Sequence, residues 1–283
     1  MAGAGLVTIK RRIKSITSIR KITKAMGLVA TAKLRRSREN LTRNENFYSE
    51  CKGILQEVFE NYSRENVYNS GNGSNINLYI IFTSDMGLCG SFNSNMVGKA
   101  LEMLRLETLN PRIMIIGSRG KAYLKKLGYD ISDGIVEVPD NPSFSEAENV
   151  AEGILKGFAE GEIGQVFAVF THFISGVKQF VEFQRLLPLP YKYDDCSKEI
   201  AAFEPTIDSV AEEAVRLYMT EQLLYCTLNS KASEHSARMN AMNSATRNAD
   251  ELLDKLKLKY NRVRQGMITQ EISEIVGGAE ALR

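Results

Sequence analysis

Two glycine-containing turns hold the residues best suited to cradle a phosphate. The run Ser84-Asp85-Met86-Gly87-Leu88-Cys89-Gly90 follows the apolar run Leu78-Tyr79-Ile80-Ile81-Phe82-Thr83. The run Gly117-Ser118-Arg119-Gly120-Lys121-Ala122 follows a second apolar stretch at residues 112–116. Turns of this kind, opening into a helix, aim backbone N–H groups at anionic oxygens. A P-loop requires G-x-x-x-x-G-K-[ST], with the lysine on the phosphates and the hydroxyl on magnesium. Gly87-Leu88-Cys89-Gly90 does not supply that pattern. The second turn is too short and sets Ala122 where the hydroxyl belongs. Glycine in a tight strand-to-helix turn is also required for backbone reasons alone, and both turns are read that way.

Other nucleophiles and ligands fare no better. The histidines, His172 and His235, have no partner at metal-ligand spacing. His172 falls on an expected strand, and His235 on a helical seam, where a packing or pairing role is expected. Cys89 beside its turn has no base placed by the sequence, so a buried inert thiol is expected. Cys51, Cys89, Cys196 and Cys226 are far apart and form no C-x-x-C pair, which argues against a disulfide framework and for a reducing compartment. No carboxylate pair stands out as an acid–base couple. The chain is therefore expected to do no bond chemistry and to bind no cofactor.

Charge points instead to binding. Eleven basic residues and no acidic one fall between residues 10 and 38: Lys10, Arg11, Arg12, Lys14, Arg20, Lys21, Lys24, Lys33, Arg35, Arg36 and Arg38. The remainder carries 25 basic against 34 acidic residues. An unrelieved basic segment repels itself and implies an acidic partner. Three partners fit: nucleic acid through its phosphates, an anionic membrane surface, or acidic loops of a protein. An Arg-rich, acid-poor start also fits a mitochondrial transit peptide, but here the pattern runs straight on into a long helix. No stretch is long and apolar enough to span a bilayer.

The elements that would carry these residues follow from spacing. The six prolines, Pro111, Pro139, Pro142, Pro188, Pro190 and Pro205, all lie in the middle, so both ends are free of the strongest helix breaker. Leu6, Ile9, Ile13, Ile16, Ile19, Ile22, Met26 and Val29 recur every three or four residues, which predicts one buried stripe on a helix reaching about Tyr62. Some fifty helical residues make a rod of roughly 75 Å. A polar run over residues 69–75 reads as a linker. Strands are expected at residues 78–83, 112–116, 165–173 and 178–187, with a hairpin turn at Ser175-Gly176. Helices are expected at residues 93–108, 118–127 and from Ser143, a capping-box residue with Glu146, to Ala159. Alternating strands and helices imply a doubly wound, mainly parallel sheet with an antiparallel edge. A last helix starts near Ser209. Leu228, Ala232, His235, Met239, Met242, Thr246, Ala249, Leu253, Leu256, Tyr260, Val263 and Met267 then keep four-three steps, a coiled-coil seam. After a one-residue shift the pattern resumes at Ile268, Ile272, Ile275, Ala279 and Leu282. The fold class is thus α/β plus a long antiparallel α-helical coiled coil: terminal helices over residues 1–65 and 207–283 pair, and a Rossmann-like domain over residues 76–190 is inserted.

Three stretches make the sequence recognisable. Ile22-Thr23-Lys24-Ala25-Met26 with Val29-Ala30 and Ala32-Lys33 is the first. Asp85 with Gly87-Leu88-Cys89-Gly90 is the second. The third is Ile268-Thr269-Gln270-Glu271-Ile272-Ser273-Glu274-Ile275-Val276-Gly277-Gly278-Ala279-Glu280-Ala281, with the spacing I-T-x-E-x-x-E-x-x-x-G-A. Together they resemble the gamma subunit family of the F-type ATP synthase, over essentially the whole chain. Met86 stands where that family usually has Arg, and Gly27 where it usually has a charged or longer side chain.

The resemblance implies a non-catalytic central-stalk rotor, one copy per complex, at the cytoplasmic face of a bacterial membrane. Its implied partners are the hexameric ring of alpha and beta subunits, the epsilon subunit and the membrane c-ring, with no nucleic acid. It implies that the basic residues Lys10, Arg11, Arg12, Lys14, Lys21, Lys24, Arg35 and Arg36 meet an acidic segment of the ring. Arg264 and Gln265 would hydrogen-bond a loop of a catalytic subunit. Ile268, Ile272 and Ile275 would turn in an apolar sleeve, and Phe203 and Glu204 would lie near the membrane ring. The rival readings are a nucleic-acid-binding helical protein, which leaves the C-terminal motif unexplained, and an α/β enzyme, which needs a catalytic constellation the sequence does not offer.

Overall fold

Two helices contain nearly half the chain. In the computed structural model, which describes residues 2–62, 66–107, 111–129, 131, 133–136, 138–191 and 203–281, α1 spans Ala2–Asn61. Between it and the last helix come α2 (Val67–Ser70), β1 (Asn77–Phe82), α3 (Phe92–Leu104), β2 (Arg112–Ile116), α4 (Ser118–Lys126), β3 (Asp133–Val136), α5 (Phe144–Ala159), β4 (Gln165–Phe173) and β5 (Gln179–Leu187). The last helix, α6, is Ile207–Ala281, 75 residues without interruption. Both long helices lie where proline is missing from the sequence. The contacts divide the chain into two units, residues 31–238 and residues 1–30 with 239–283.

The larger unit is built on a five-stranded sheet in the order β3-β2-β1-β4-β5. The first four strands are parallel and β5 is the antiparallel edge. β1 is buried almost throughout, as a central parallel strand covered on both faces must be. Its residues alternate between two cores. Leu78, Ile80 and Phe82 join Ala151, Ile154 and Phe158 of α5, Leu55 and Phe59 of α1, and Val215 and Met219 of α6. Tyr79 and Ile81 join Met96, Val97 and Ala100 of α3, Leu124 of α4, and Ile113 and Ile115 of β2. Each fully buried side chain of this size contributes roughly 1.5–3 kcal/mol before entropy is counted. The capping box expected at α5 is present: the Glu146 N–H donates to Ser143 Oγ at 3.3 Å, and the Ser143 N–H donates to Glu146 Oε2 at 2.8 Å.

Two elements escaped the sequence reading. β3 has four residues, and α2 is a single turn capped by Asn66, overlapping the start of the polar run read as a linker.

The smaller unit pairs the first half of α1 with α6 from Met242 onward, short of the exposed end of that helix. Arg20 is bonded to Asp250, the Thr23 and Thr246 hydroxyls meet at 2.8 Å, and a β-carbon added to Gly27 would lie 3.6 Å from Met242 Cβ. The α1 numbers rise as the α6 numbers fall, so the helices run antiparallel. Ile9 is buried, and Ile13 and Ile16 are half-buried. Beyond Ile16 the expected stripe holds only at Met26, which is half-buried: Ile19, Ile22 and Val29 are exposed, and Arg20, Thr23, Gly27 and Ala30 face inward instead. The inward positions still step by three and four residues, but polar and small side chains occupy them. On α6, Met242, Ala249 and Leu253 are buried, and Thr246, Leu256, Tyr260, Val263 and Met267 are half-buried, in line with the expected seam. Leu228, Ala232 and His235, assigned to that seam from the sequence, belong to the larger unit.

Candidate functional site

The two glycine turns meet each other. Thr83 N–H donates to the Ile116 carbonyl at 2.7 Å, which brings the end of β1 against the end of β2. Three N–H groups at the start of α4 are already occupied. Ser118 donates to Asp85 Oδ1 (3.1 Å), Arg119 to the Ser84 carbonyl (3.0 Å) and Gly120 to Thr83 Oγ1 (3.0 Å). The Asp85 carboxylate sits at a helix N-terminus, where an anion is favoured. A phosphate there would meet a fixed negative charge. Cys89 is buried, and its sulfur receives an Asn93 side-chain N–H at 3.3 Å. Asn93 also accepts the Ser84 N–H and donates to Ser84 Oγ, so it organises the loop and supplies no base. Among the described residues no group of three or more His, Cys, Asp or Glu could hold a metal ion.

A chain of charges ties this loop to α6. Lys231 Nζ reaches Asp85 Oδ2 at 2.9 Å and lies 3.9 Å from Glu234. Arg238 Nη2 donates to Glu234 Oε1 at 2.7 Å and to the Met86 carbonyl at 3.0 Å. Its Nη1 lies 3.3 Å from His235 Nδ1. A guanidinium has only donors, so Nδ1 is the acceptor and the ring proton is on Nε2. That nitrogen faces Asp140 Oδ1 at 3.3 Å, and the other Asp140 oxygen meets Lys33. Burial pushes His235 down to about 4, with Arg238, Lys33 and Lys231 adding to the shift and Asp140 opposing it. His235 is thus a pairing residue, though its partners are loop and helix side chains of the larger unit.

The residues expected to bind partners are solvent-facing. In the smaller unit Lys10, Arg11, Arg12, Lys14, Lys21 and Lys24 are exposed along α1, with Ile19, Ile22, Leu28 and Val29 exposed among them. On α6 of the same unit Arg264, Gln265, Ile268, Ile272 and Ile275 are exposed. Every residue from Ile268 to Ala279 is exposed, so that stretch has no cover within this chain. Leu282, the end of the expected repeat, lies outside the described residues. In the larger unit Arg35 and Arg36 are exposed, Glu204 is exposed and Phe203 is half-buried against the core. Three of the basic residues are paired inside their own units: Arg20 with Asp250, Lys33 with Asp140, and Arg35 with Glu39 at 3.1 Å. Arg43, outside the unrelieved basic run, lines an open groove along α1 with Leu34, Arg35 and Arg38. Its spacing of eight from Arg35 is the signal the sequence offers for this.

A family model described as ATP synthase matches residues 5–282. The ATP synthase gamma chain of Clostridium botulinum (strain Kyoto / Type A2) is 49% identical over 283 residues, covering 100% of both chains. The chain belongs to the ATP synthase gamma-chain family. The gamma chain of Clostridium kluyveri is 48% identical, again over the full length of both. Members of this family are the non-catalytic gamma subunit of the ATP synthase complex, and on that membership the expectation that the chain is not itself an enzyme stands.

Solved structures agree. A chain of the central stalk and c-ring of the Tetrahymena thermophila mitochondrial ATP synthase is 29% identical, with a TM-score of 0.66 over 79% of this chain and 99% of that one. A chain of the Euglena gracilis mitochondrial ATP synthase, in an assembly of OSCP, F1 and c-ring, has a TM-score of 0.73 over 99% and 95%, at 18% identity, which speaks for the fold alone. Among the described residues no helix of this gamma-family chain is long and apolar enough to cross a membrane.

Proposed function

We infer that this chain is the central-stalk rotor of an ATP synthase, coupling rotation of a membrane c-ring to the conformational cycle of the catalytic subunits. The observation that carries this reading is full-length kinship with gamma chains joined to an antiparallel helix pair whose end has no cover of its own. The helix pair is a coiled coil that enters a hexameric ring of alpha and beta subunits, one copy per complex. The Rossmann-like sheet domain, with Phe203 and Glu204, forms the foot that meets the c-ring and the epsilon subunit. The assembly sits at the cytoplasmic face of a bacterial membrane and moves protons or sodium ions.

The chain binds no nucleotide or other cofactor. Asp85 at the start of α4 supports this, because the place a phosphate would take is filled from within.

Coupling needs no bond chemistry on the shaft. Each orientation offers a given catalytic subunit different contacts, and a difference in contact energy between open and closed states shifts their populations. Solvated lysines and arginines suit this work. An exposed ion pair contributes about 0–1 kcal/mol, so partners exchange at small cost as the shaft turns. The basic face of α1 meets acidic segments of the ring, Arg264 and Gln265 bond a loop of a catalytic subunit, and Ile268, Ile272 and Ile275 turn in an apolar sleeve.

The test is reconstitution of the alpha–beta ring with and without this chain. Cooperative ATP turnover that requires the chain supports the reading. Turnover indifferent to the chain, or recovery of the chain with nucleic acid and no ring, overturns it.

A further inference from the structure

A helix buried on all sides is expected to be apolar all round. α6 breaks that rule within the larger unit. Every residue from Cys226 to Ser236 is buried, yet Thr227, Asn229, Ser230, Lys231, Ser233, Glu234, His235 and Ser236 are all polar.

Each side of this collar is stitched to a different part of the sheet domain. On one side Asn229 Oδ1 accepts the Phe173 N–H at 3.1 Å, Ser233 Oγ donates to the Thr171 carbonyl at 3.3 Å, and Ser236 Oγ donates to the Gly176 carbonyl at 2.9 Å. On the other side Lys231 grips Asp85, which also accepts from the first residue of α4, and Arg238 grips the Met86 carbonyl. Nearer the start of α6, by contrast, Val215, Met219 and Leu223 meet the sheet through the apolar core. Apolar contact is non-directional and tolerates rotation of one surface on another. Charged groups at 2.9–3.0 Å do not: turning the helix would part Lys231 from Asp85 and Arg238 from the Met86 carbonyl, and Glu234, which turns with them, balances only one of the two buried cations.

We propose that the polar collar of α6, centred on the Asp85–Lys231 pair, is a keyed joint that fixes α6 against rotation within the sheet domain, so that Asp85 and Lys231 are positioning residues for energy coupling. This rests on the rotor reading. Torque taken up by the foot passes into α6 at the collar, and α6 continues unbroken to Ala281. A collar of matched apolar side chains would give the same burial without the key.

The test uses the full complex in vesicles and reads ion pumping per ATP hydrolysed. The double variant Asp85→Asn/Lys231→Met removes one charge of each sign, keeps an acceptor for the Ser118 N–H, and leaves Glu234 paired with Arg238. We expect it to assemble and hydrolyse ATP while pumping per ATP falls severalfold, and Lys231→Arg to keep the unmodified ratio. An unchanged ratio in the double variant overturns the inference. So does a loss of assembly with an unchanged ratio in whatever assembles, because the collar then serves folding alone. If the unmodified chain fails to support coupled pumping, the rotor reading itself falls, and the two failures are distinct.

Discussion

A β-carbon on residue 27 would stand 3.1 Å from the side-chain oxygen of Asn243. Gly27 is buried in the helix pair, while Asn243 is exposed and free to turn its amide aside. Alanine is the better helix former and restricts the unfolded chain. Gly27→Ala is therefore expected to raise stability by about 0.5–1 kcal/mol. Gly27→Leu, crowding Met242 as well, is expected to lower it by about 1–3 kcal/mol. Denaturant titration of the full chain checks both. A destabilising alanine would mean that the close approach of the two helices has no slack at this point.

Gly117 has no such freedom. Its φ of 99° is left-handed, and an added β-carbon would fall 2.0 Å from the Thr83 carbonyl oxygen. Relief would require parting the strand ends joined by Thr83 and Ile116. Gly117→Ala is expected to cost at least about 3 kcal/mol, read as a drop in denaturation midpoint.

Gln222 is fully buried on α6 and accepts from the Tyr48 hydroxyl at 2.7 Å and the Tyr218 hydroxyl at 3.0 Å. Gln222→Leu removes the acceptor shared by both hydroxyls, leaving them each other and Gln184, and is expected to cost roughly 1–3 kcal/mol, as for one buried group left unpaired. Adding Tyr48→Phe and Tyr218→Phe is expected to return most of that loss. Melting curves of the single and triple variants decide it, and no recovery would show that packing dominates at this site.

His235 gives the fold an acid-side weakness. Burial holds its folded pKa near 4, against 6.5 for the free side chain. Between those values the unfolded chain binds a proton that the native chain does not, so stability falls as pH drops from 6.5 toward 4. The full effect is on the order of 3 kcal/mol. Glu234, raised by burial despite Lys231 and Arg238, acts in the opposite sense. His235→Gln keeps an acceptor and a donor, and is expected to flatten the stability profile between pH 6.5 and 4. Denaturation at a series of pH values in both proteins checks this.

The basic face of α1 is expected to matter for association and not for folding. Lys10, Arg11, Arg12 and Lys14 are all exposed, and changing exposed residues of this kind alters stability by about 0.5 kcal/mol or less each. Reversing all four to Glu is expected to leave the melting temperature nearly unchanged while weakening binding to the alpha–beta ring and reducing its sensitivity to salt. Ring binding measured at several salt concentrations tests it.

Much of this architecture is written plainly in the sequence. The bounds of β2 and β4 are legible because residues 112–116 and 165–173 are short, apolar and punctuated. The capping box at Ser143 marks α5, and the missing prolines mark both long helices. The inward face of α1 beyond Ile16 was not legible, since periodicity follows hydrophobicity. There the partner is met by Arg20, Thr23 and Gly27, while Ile19, Ile22 and Val29 face solvent. Asp85 illustrates a second limit. Its turn has the pattern of a phosphate cradle, and only the meeting of the two turns in the fold sets its carboxylate in the position of the anion. The collar of α6 was hidden for the same reason: a lysine, a glutamate and an arginine along a helix read as solvated until a sheet domain is seen around them.

Thr23 meets Thr246, a partner 223 residues further along the chain. At ribosomal rates of about 5–20 residues per second, the start of α1 waits on the order of 10–45 s for the helix that covers it. Ile9, Ile13 and Ile16 are bare throughout that interval. Contacts so distant in sequence also close slowly once the chain is released. The dense positive charge between residues 10 and 38 is of one sign and so opposes association of copies with bare stripes, as gatekeeper charges do beside exposed apolar runs. The segment proposed to meet the ring thus also carries the charge that opposes contact between chains whose apolar stripe is still uncovered.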